Sequence, residues 1–561
     1  MGGKKNRGGI QIVLNESSSR FTPNIASFDE SRSAGALAKP KERSNFKNTV
    51  THVKRLIGQK YSDPAVQRIL KHVHFKTTQN EDDSVGIVVN FEGKQRTFLP
   101  EQIVAFQLAN VAEYTKEFTK FPVSDMVVSV PSYFNERQRQ AVLDACKISG
   151  VPIRRLVNDT TATALSYGIL RKKTFSDDKV TRVMFLDMGY MIFECSIVEF
   201  TQTGMKVLGS AYDENVGGYF FDYRLAEYLN SKFMEKHKID LREYPKSWIK
   251  LIQAASKAKV TLSPKGVDKA RINLECLYKE KDFRYEVTID ELAEVTKDLI
   301  PLVKASIERC FQEANVTKAD LKSCEATGGS IRMRFVKHII SDMLGSELMS
   351  YTLNQDECTA RGCAIIAAMM SPKVKVQSYK IEDCVPYAVT LKWKKDSGEN
   401  SLVVFKKDSS FPAEMQVTFK RTDTFTLNAV QENGDVLGSF EIDMSNAKEA
   451  VLEREKEGLK PNEVRVFVSC DQNGLVSVSS AEYMKKNKQP EPEPEPVVEK
   501  EETKTEKEES KKEGDDKNEV GFFFFSLLIQ SFREPFCYDE LFFTHLIRNA
   551  KCRTLSLSNC A

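Results

Sequence analysis

Four short segments carry residue types suited to handling a phosphate and a metal ion, and their order along the chain is more informative than any one of them. The first holds Lys54, in Lys54-Arg55-Leu56-Ile57-Gly58. The second is Val130-Pro131-Ser132-Tyr133-Phe134-Asn135. The third is Phe185-Leu186-Asp187-Met188-Gly189, followed by Val216-Gly217-Gly218-Tyr219. The fourth is Gly328-Gly329-Ser330-Ile331-Arg332, then Asn354-Gln355-Asp356. An Asp-x-Gly after an apolar run is usually a plain turn. At the tip of a strand–turn–strand hairpin its Asp can hold Mg²⁺ through water, and its Gly lets backbone N–H groups reach phosphate oxygens. Gly217-Gly218 and Gly328-Gly329 are also turns by default; as a set they would let backbone approach phosphates and ribose. Arg332 is either a solvated cation or a guanidinium laid on an adenine face.

These segments need strands and helices to hold them. Met126–Val130 and Val183–Leu186 are apolar runs of strand length. Between them, Asn135–Ile148 has helical spacing, with apolar positions at Val142, Ala145 and Ile148. Strands and helices alternate over residues 10–370, which predicts an α/β architecture. From about Ile381 the period changes to two, as in Gln416–Lys420 and Glu463–Val468. Asn433-Gly434 and Asn473-Gly474 sit between such runs and predict hairpins. The expected division is a nucleotide-binding domain at 1–371, a linker at 372–383, an all-β domain at 384–485, a charged tract at 486–519 and a tail at 520–561.

Composition excludes several classes. With 82 Lys and Arg against 79 Asp and Glu, the net charge is +3, which gives no electrostatic case for nucleic acid. The 12 Cys form no C-x-x-C pair, so zinc and redox sites are not expected, and reduced cysteines fit a cytoplasmic or nuclear protein. No secretory leader is expected in Met1–Gly9, where no apolar core follows the charged start. Val520–Phe532 has 13 uncharged residues, short of the ~20 that a membrane-spanning helix needs. The tract beginning Pro490-Glu-Pro-Glu is expected to be disordered, because it has too little apolar surface to offset chain entropy. The aromatic tail after it matches nothing earlier in the chain, which points to an alternative C-terminal exon.

Taken in order, the four segments resemble the heat-shock protein 70 superfamily from about Ile10 to Met484. The resemblance implies an actin-like two-lobed ATPase domain followed by a β-sandwich that binds peptides. Details look like the heat-shock protein 110 branch: Asn158-Asp159-Thr160-Thr161-Ala162, Asp187-Met188-Gly189-Tyr190-Met191-Ile192, a linker without a leucine-rich string, and an acidic insertion after the β domain. Members of that branch act as nucleotide-exchange factors for a heat-shock protein 70 and as holdases for unfolded polypeptides. Carried over by position, Lys54 matches the lysine that orients the attacking water. Asp187 matches the aspartate that positions the base and holds the metal shell, and Asp159 is assigned to the metal through water. Gly189, Tyr190, Met191 and Ile192 match the second phosphate loop, with Gly217 and Gly218 beside it. Ser263 matches an adenine-contacting serine. Gly328, Gly329, Ser330, Ile331 and Arg332 match the adenosine loop, and Asp356 a cleft aspartate. The implied cofactor is ATP or ADP with Mg²⁺.

The sequence also departs from the family pattern. By the resemblance, Gly9–Asn15 matches the strand after the family's first phosphate hairpin, so no counterpart of that hairpin is expected in Met1–Gly8. Losing about three hydrogen bonds to charged groups and one carboxylate removes on the order of 5 kcal/mol, roughly 10³–10⁴ in affinity. The neighbouring strand of the first lobe is then expected to show an open edge. Ile192 replaces a phosphate-contacting Thr, and Ser256 and Val260 stand where a Glu and an Arg frame adenine. Hydrolysis is therefore expected to be weak or absent. The alternatives are an ATP-hydrolysing foldase of the smaller type and, from another class, a sugar kinase on the same fold.

Overall fold

The computed structural model describes residues 10–372, 377–395, 398–445, 463–483, 525–526 and 529–532. It divides into two compact units. The first runs to Val389 and includes Phe405–Ala413 and Cys470–Leu475; the second comprises Thr390–Val404, Glu414–Ser469 and the residues from Val476. The charged tract 486–519 and most of the tail lie outside the described residues.

The first unit is α/β. Its main sheet has seven strands in the spatial order 349–350, 321–327, 181–188, 193–200, 204–213, 380–384 and 410–411. Thr181–Met188 runs parallel to Leu321–Thr327 and antiparallel to Phe193–Phe200, so a hairpin tip falls at 189–192. The two hairpin strands are mostly buried on both faces, as a central pair must be. The end of the expected linker is a strand of this sheet: Lys380–Cys384 pairs in parallel with Gly204–Asp213.

Smaller sheets build the first lobe. Ile25–Phe28, Arg32–Ala34 and Thr49–Thr51 form one, and the strands 76–79, 85–91 and 94–98 another. Met126–Val130 pairs only with Ile153–Asn158, and four of its five residues are half-exposed. Its second edge has no strand among the described residues. The expected strand at Ile10–Asn15 is a correction: these residues form no ladder. Instead, the Asn15 side-chain oxygen accepts from the amides of Ser17 and Ser19, which makes a local turn and competes with strand pairing. The helix expected at 135–148 is Glu136–Ser149, capped by Asn135 and ended by Gly150 in a left-handed conformation.

First-lobe cores draw on residues from Ala26 to Leu156, and second-lobe cores on residues from Met184 to Leu344. The helices Asp159–Arg171 and Cys358–Met370 pack at Gly362, where a β-carbon would collide with the Ala162 carbonyl.

The second unit is all-β, with two sheets. One has the order 398–405, 389–395, 425–431, 436–442 and 529–532; the other 413–419, 464–470, 476–483 and 525–526. Gly434 and Gly474 both take positive φ in the turns that Asn-Gly marks. The tail thus supplies an outer strand to each sheet, although no periodicity marks it in the sequence. No helix among the described residues is long and apolar enough to cross a membrane.

Candidate functional site

The hairpin tip puts Asp187 at the end of its strand, facing two other carboxylates and one ammonium. Lys54, in the short turn Val53–Arg55, donates to Asp159 at 3.1 Å. Asp159 begins the helix that follows Asn158. Glu194 lies one strand across from Asp187 and is buried, accepting from the amide of Ser132 at 2.8 Å and from its hydroxyl at 2.6 Å. Burial, reinforced by the charge of Asp159 and opposed by Lys54, pushes the Asp187 carboxyl up to about 7. Burial and Asp159 likewise raise Glu194, against the bonds from Ser132. Burial pulls the Lys54 ammonium down, but Asp159 and Glu194 outweigh that and hold it above the ordinary lysine value.

The structure places the four sequence segments together. A β-carbon on Gly328 would collide with Asp187 and with the backbone of Met188, so that glycine, at φ 81°, is a close-approach position. Gly218 abuts Ser330, and Gly329 faces Asp356. Arg332 is held by Gln355 at 2.9 Å and by an ion pair with Asp356, so its guanidinium is tied down beside the adenosine loop. The Ile331 side chain points away into the core and leaves only its backbone to the loop. Ser263 ends its helix with its hydroxyl donated to the Lys259 carbonyl at 2.9 Å.

Fit to a magnesium nucleotide divides across the cleft. The hard oxygen donors of Asp187, Asp159 and Glu194 suit a hydrated divalent cation. Among the described residues, however, no three such side chains converge closely enough to ligate one directly. The adenosine side retains its glycine loop and Arg332. On the phosphate side three backbone donors are already engaged, which leaves a poorer fit there. Gly189 N–H donates to Ile192 O at 3.0 Å, Gly218 N–H to Gly189 O at 3.0 Å, and Tyr219 N–H to Tyr190 O at 2.7 Å. Gly217 leaves no room for a β-carbon against the Tyr190–Ile192 backbone. Lys259 is buried, donating to Gly218 O at 2.8 Å and pairing with Asp222 at 2.7 Å. Ile192 offers no hydroxyl.

Sequence reasoning missed Glu194, Arg55, Lys259 and Asp222. Glu194 and Asp222 had a signal: a charge beside or inside an apolar run. Glu194 interrupts Phe193–Phe200, and Asp222 follows Phe220-Phe221. Lys259 lies one helical turn from Ala255 and four residues before Ser263. Arg55 donates to Glu214 O at 2.6 Å and Met191 O at 3.4 Å, so it pins the hairpin tip to the first lobe.

Comparison with known proteins gives the family of the chain. A family model described as Hsp70 protein matches residues 4–521. The chain is 34% identical over 480 residues to a heat shock protein homolog of Lachancea kluyveri, covering 85% of this chain and 69% of that protein. It is 35% identical over 482 residues to a heat shock protein homolog of Saccharomyces cerevisiae, with 85% and 69% covered. It is 33% identical over 488 residues to the 97 kDa heat shock protein of Strongylocentrotus purpuratus, covering 85% of this chain and 54% of that protein.

Proposed function

We propose that this chain, which belongs to the heat-shock protein 70 family and is a chaperone of the heat-shock protein 110 type, accelerates nucleotide exchange on a smaller family member and holds unfolded polypeptides. The observation that carries this reading is the engagement of the phosphate side of the cleft. The amides of Gly189, Gly218 and Tyr219 are bonded within the protein. Turnover of ATP needs preorganised donors at the transferring phosphate, and three backbone donors beside the hairpin tip are spent within the protein. Exchange on a partner draws on the surface of a folded α/β unit, and the second lobe here has two extensive apolar cores.

Family membership implies nucleotide binding. In this reading Mg²⁺-ATP or ADP binds weakly, held from the adenosine side by Gly328–Arg332, with Asp187 and Asp159 reaching the metal through water. An ATP-hydrolysing foldase is disfavoured by the loss of a hydroxyl at Ile192. A sugar kinase is disfavoured because the likeness continues through the all-β unit.

The test is release of a fluorescent nucleotide from a purified heat-shock protein 70 with and without the full chain. The expected result is faster release that grows with the concentration of this chain. Unchanged release, with the chain shown to be folded by circular dichroism, overturns the exchange role.

A further inference from the structure

The phosphate side of the cleft is also bridged by side chains from both lobes. From the first lobe come His52, which precedes the Lys54 turn, and His72, which follows the helix Pro64–Leu70. From the second come Tyr219 and Tyr223 of the helix Gly218–His237, and Tyr190 of the hairpin tip. Tyr219 is buried at the centre. Its ring lies 4.9 Å from that of His52, 5.4 Å from His72 and 5.7 Å from Tyr190, all edge-on. The His72 ring stands 4.6 Å from Tyr223, and its Nδ1 is 3.1 Å from the Tyr219 hydroxyl. Arg55 adds its bonds to Met191 and Glu214 beside this cluster. Further along, Gln253 donates to Glu42 at 2.8 Å, again linking the lobes.

Three features make this cluster a clasp. Edge-on aromatic pairs at these separations are mutually attractive beyond the area they bury. The first amides of the 218–237 helix, a ready site for an anion, are occupied by the Gly189 and Tyr190 carbonyls. Tyr190 and Met191 stand where the resemblance implies a glycine-rich phosphate loop, and Met191 packs against the first-lobe core instead.

A ligand closes a cleft only to the extent that it binds the closed form better than the open one. We infer that in this chain His52, His72, Tyr190 and Tyr219, with Arg55, hold the two lobes closed without nucleotide. Closure is then a fixed property of the chain rather than a response to ATP. This goes beyond the exchange role and does not depend on it.

Hydrogen exchange by mass spectrometry on the full chain tests the clasp, reading the segments 188–193 and 217–221. The helix 300–314 of the second-lobe core serves as the control for global unfolding. In the wild type, exchange at Gly189, Gly218 and Tyr219 is expected to be slow without nucleotide and to change less than about twofold with millimolar Mg²⁺-ADP or Mg²⁺-ATP. His72→Ala is expected to speed exchange at those three positions about tenfold, with 300–314 unchanged and no rescue by nucleotide. Tyr219→Phe keeps the rings and removes one hydrogen bond; about fivefold faster exchange is expected. It decides the matter if His72→Ala fails to fold. Slowing of wild-type exchange by nucleotide of tenfold or more overturns the inference. So does wild-type exchange at these positions in a folded His72→Ala or, failing that, in Tyr219→Phe.

Discussion

At the scale of single residues, the clearest consequence of packing is the state of His72. Burial, with the nearby charges of Arg224, Lys71 and His74, lowers its imidazole to about 4. From the second lobe it meets the rings of Tyr219, Phe220 and Tyr223 and the positive charge of Arg224, none of which stabilises a cation. An unfolded histidine titrates near 6.5. Between those two values the unfolded chain binds more protons than the folded one. The stability this neutral imidazole contributes is therefore fully present above about pH 6.5 and is lost as pH falls towards 4. His72→Phe keeps an aromatic ring and removes the titration. A melting curve at pH 7 and another at pH 5 should show the wild type losing roughly 2–4 °C more than the variant. Equal losses would show that His72 is not a source of the acid sensitivity. The histidine itself was legible only as one residue in a polar stretch. Nothing in Lys71-His72-Val73-His74 announces a cross-lobe contact, because both partners lie about 150 residues away on a different element. Lys54 and Asp187 were easier to read, since a family pattern fixed their spacing, whereas Glu194 was hidden by its own burial inside a strand.

At the scale of elements, the hairpin around Asp187 was readable because two apolar runs flank an Asp-x-Gly. Strand 181–188 and its antiparallel neighbour follow from that pattern. The expected strand at Ile10–Asn15 did not form, because one apolar run without a ladder partner gains nothing from extension, and Asn15 supplies a competing turn. The helix pair 159–171 and 358–370 shows the reverse situation. Each helix could be anticipated, but their crossing could not, since it depends on Gly362 lying directly against the Ala162 carbonyl. Gly362→Ala should force these helices apart and cost about 1–3 kcal/mol, the range for overpacking a close contact. Gly150→Ala provides the contrast. Gly150 has nothing near a β-carbon and suffers only from its φ of 76°, so about 1–2 kcal/mol of backbone strain is expected there, with no shift in helix packing. Urea denaturation measures both. Separation of the two mechanisms comes from exchange at Ala162–Leu165, which Gly362→Ala should accelerate and Gly150→Ala should not.

At the scale of the whole chain, the change from α/β alternation to period-two strands near Ile381 correctly announced two kinds of architecture. What it did not announce is the use of the tail. Phe525–Ser526 pairs with Tyr483 and Glu482, and Ile529–Phe532 pairs antiparallel with Ser439–Ile442, so one short segment covers an outer edge of both sheets in the all-β unit. The sequence hid this because strands of two and four residues are too short to show alternation, and a long charged stretch separates them from the sheets they join. Open edges present unpaired N–H and C=O groups that recruit other chains. Truncation after Glu519 should therefore do two things. It should lower the melting temperature of the all-β unit, and it should make the protein scatter light in a concentration-dependent way. Exchange in the 188–193 and 217–221 segments should stay as in the full chain, because the clasp draws on none of the tail. A truncated chain that melts normally and stays monodisperse would show that the 436–442 edge is protected by other means. Pro substitutions at Gln530 and, separately, at Ser531, one of which must remove a ladder donor of this alternating strand without shortening the chain, would then separate the backbone pairing from the aromatic character of the segment. Loss of stability with Gln530→Pro or Ser531→Pro equal to that of the truncation would place the effect in the ladder itself.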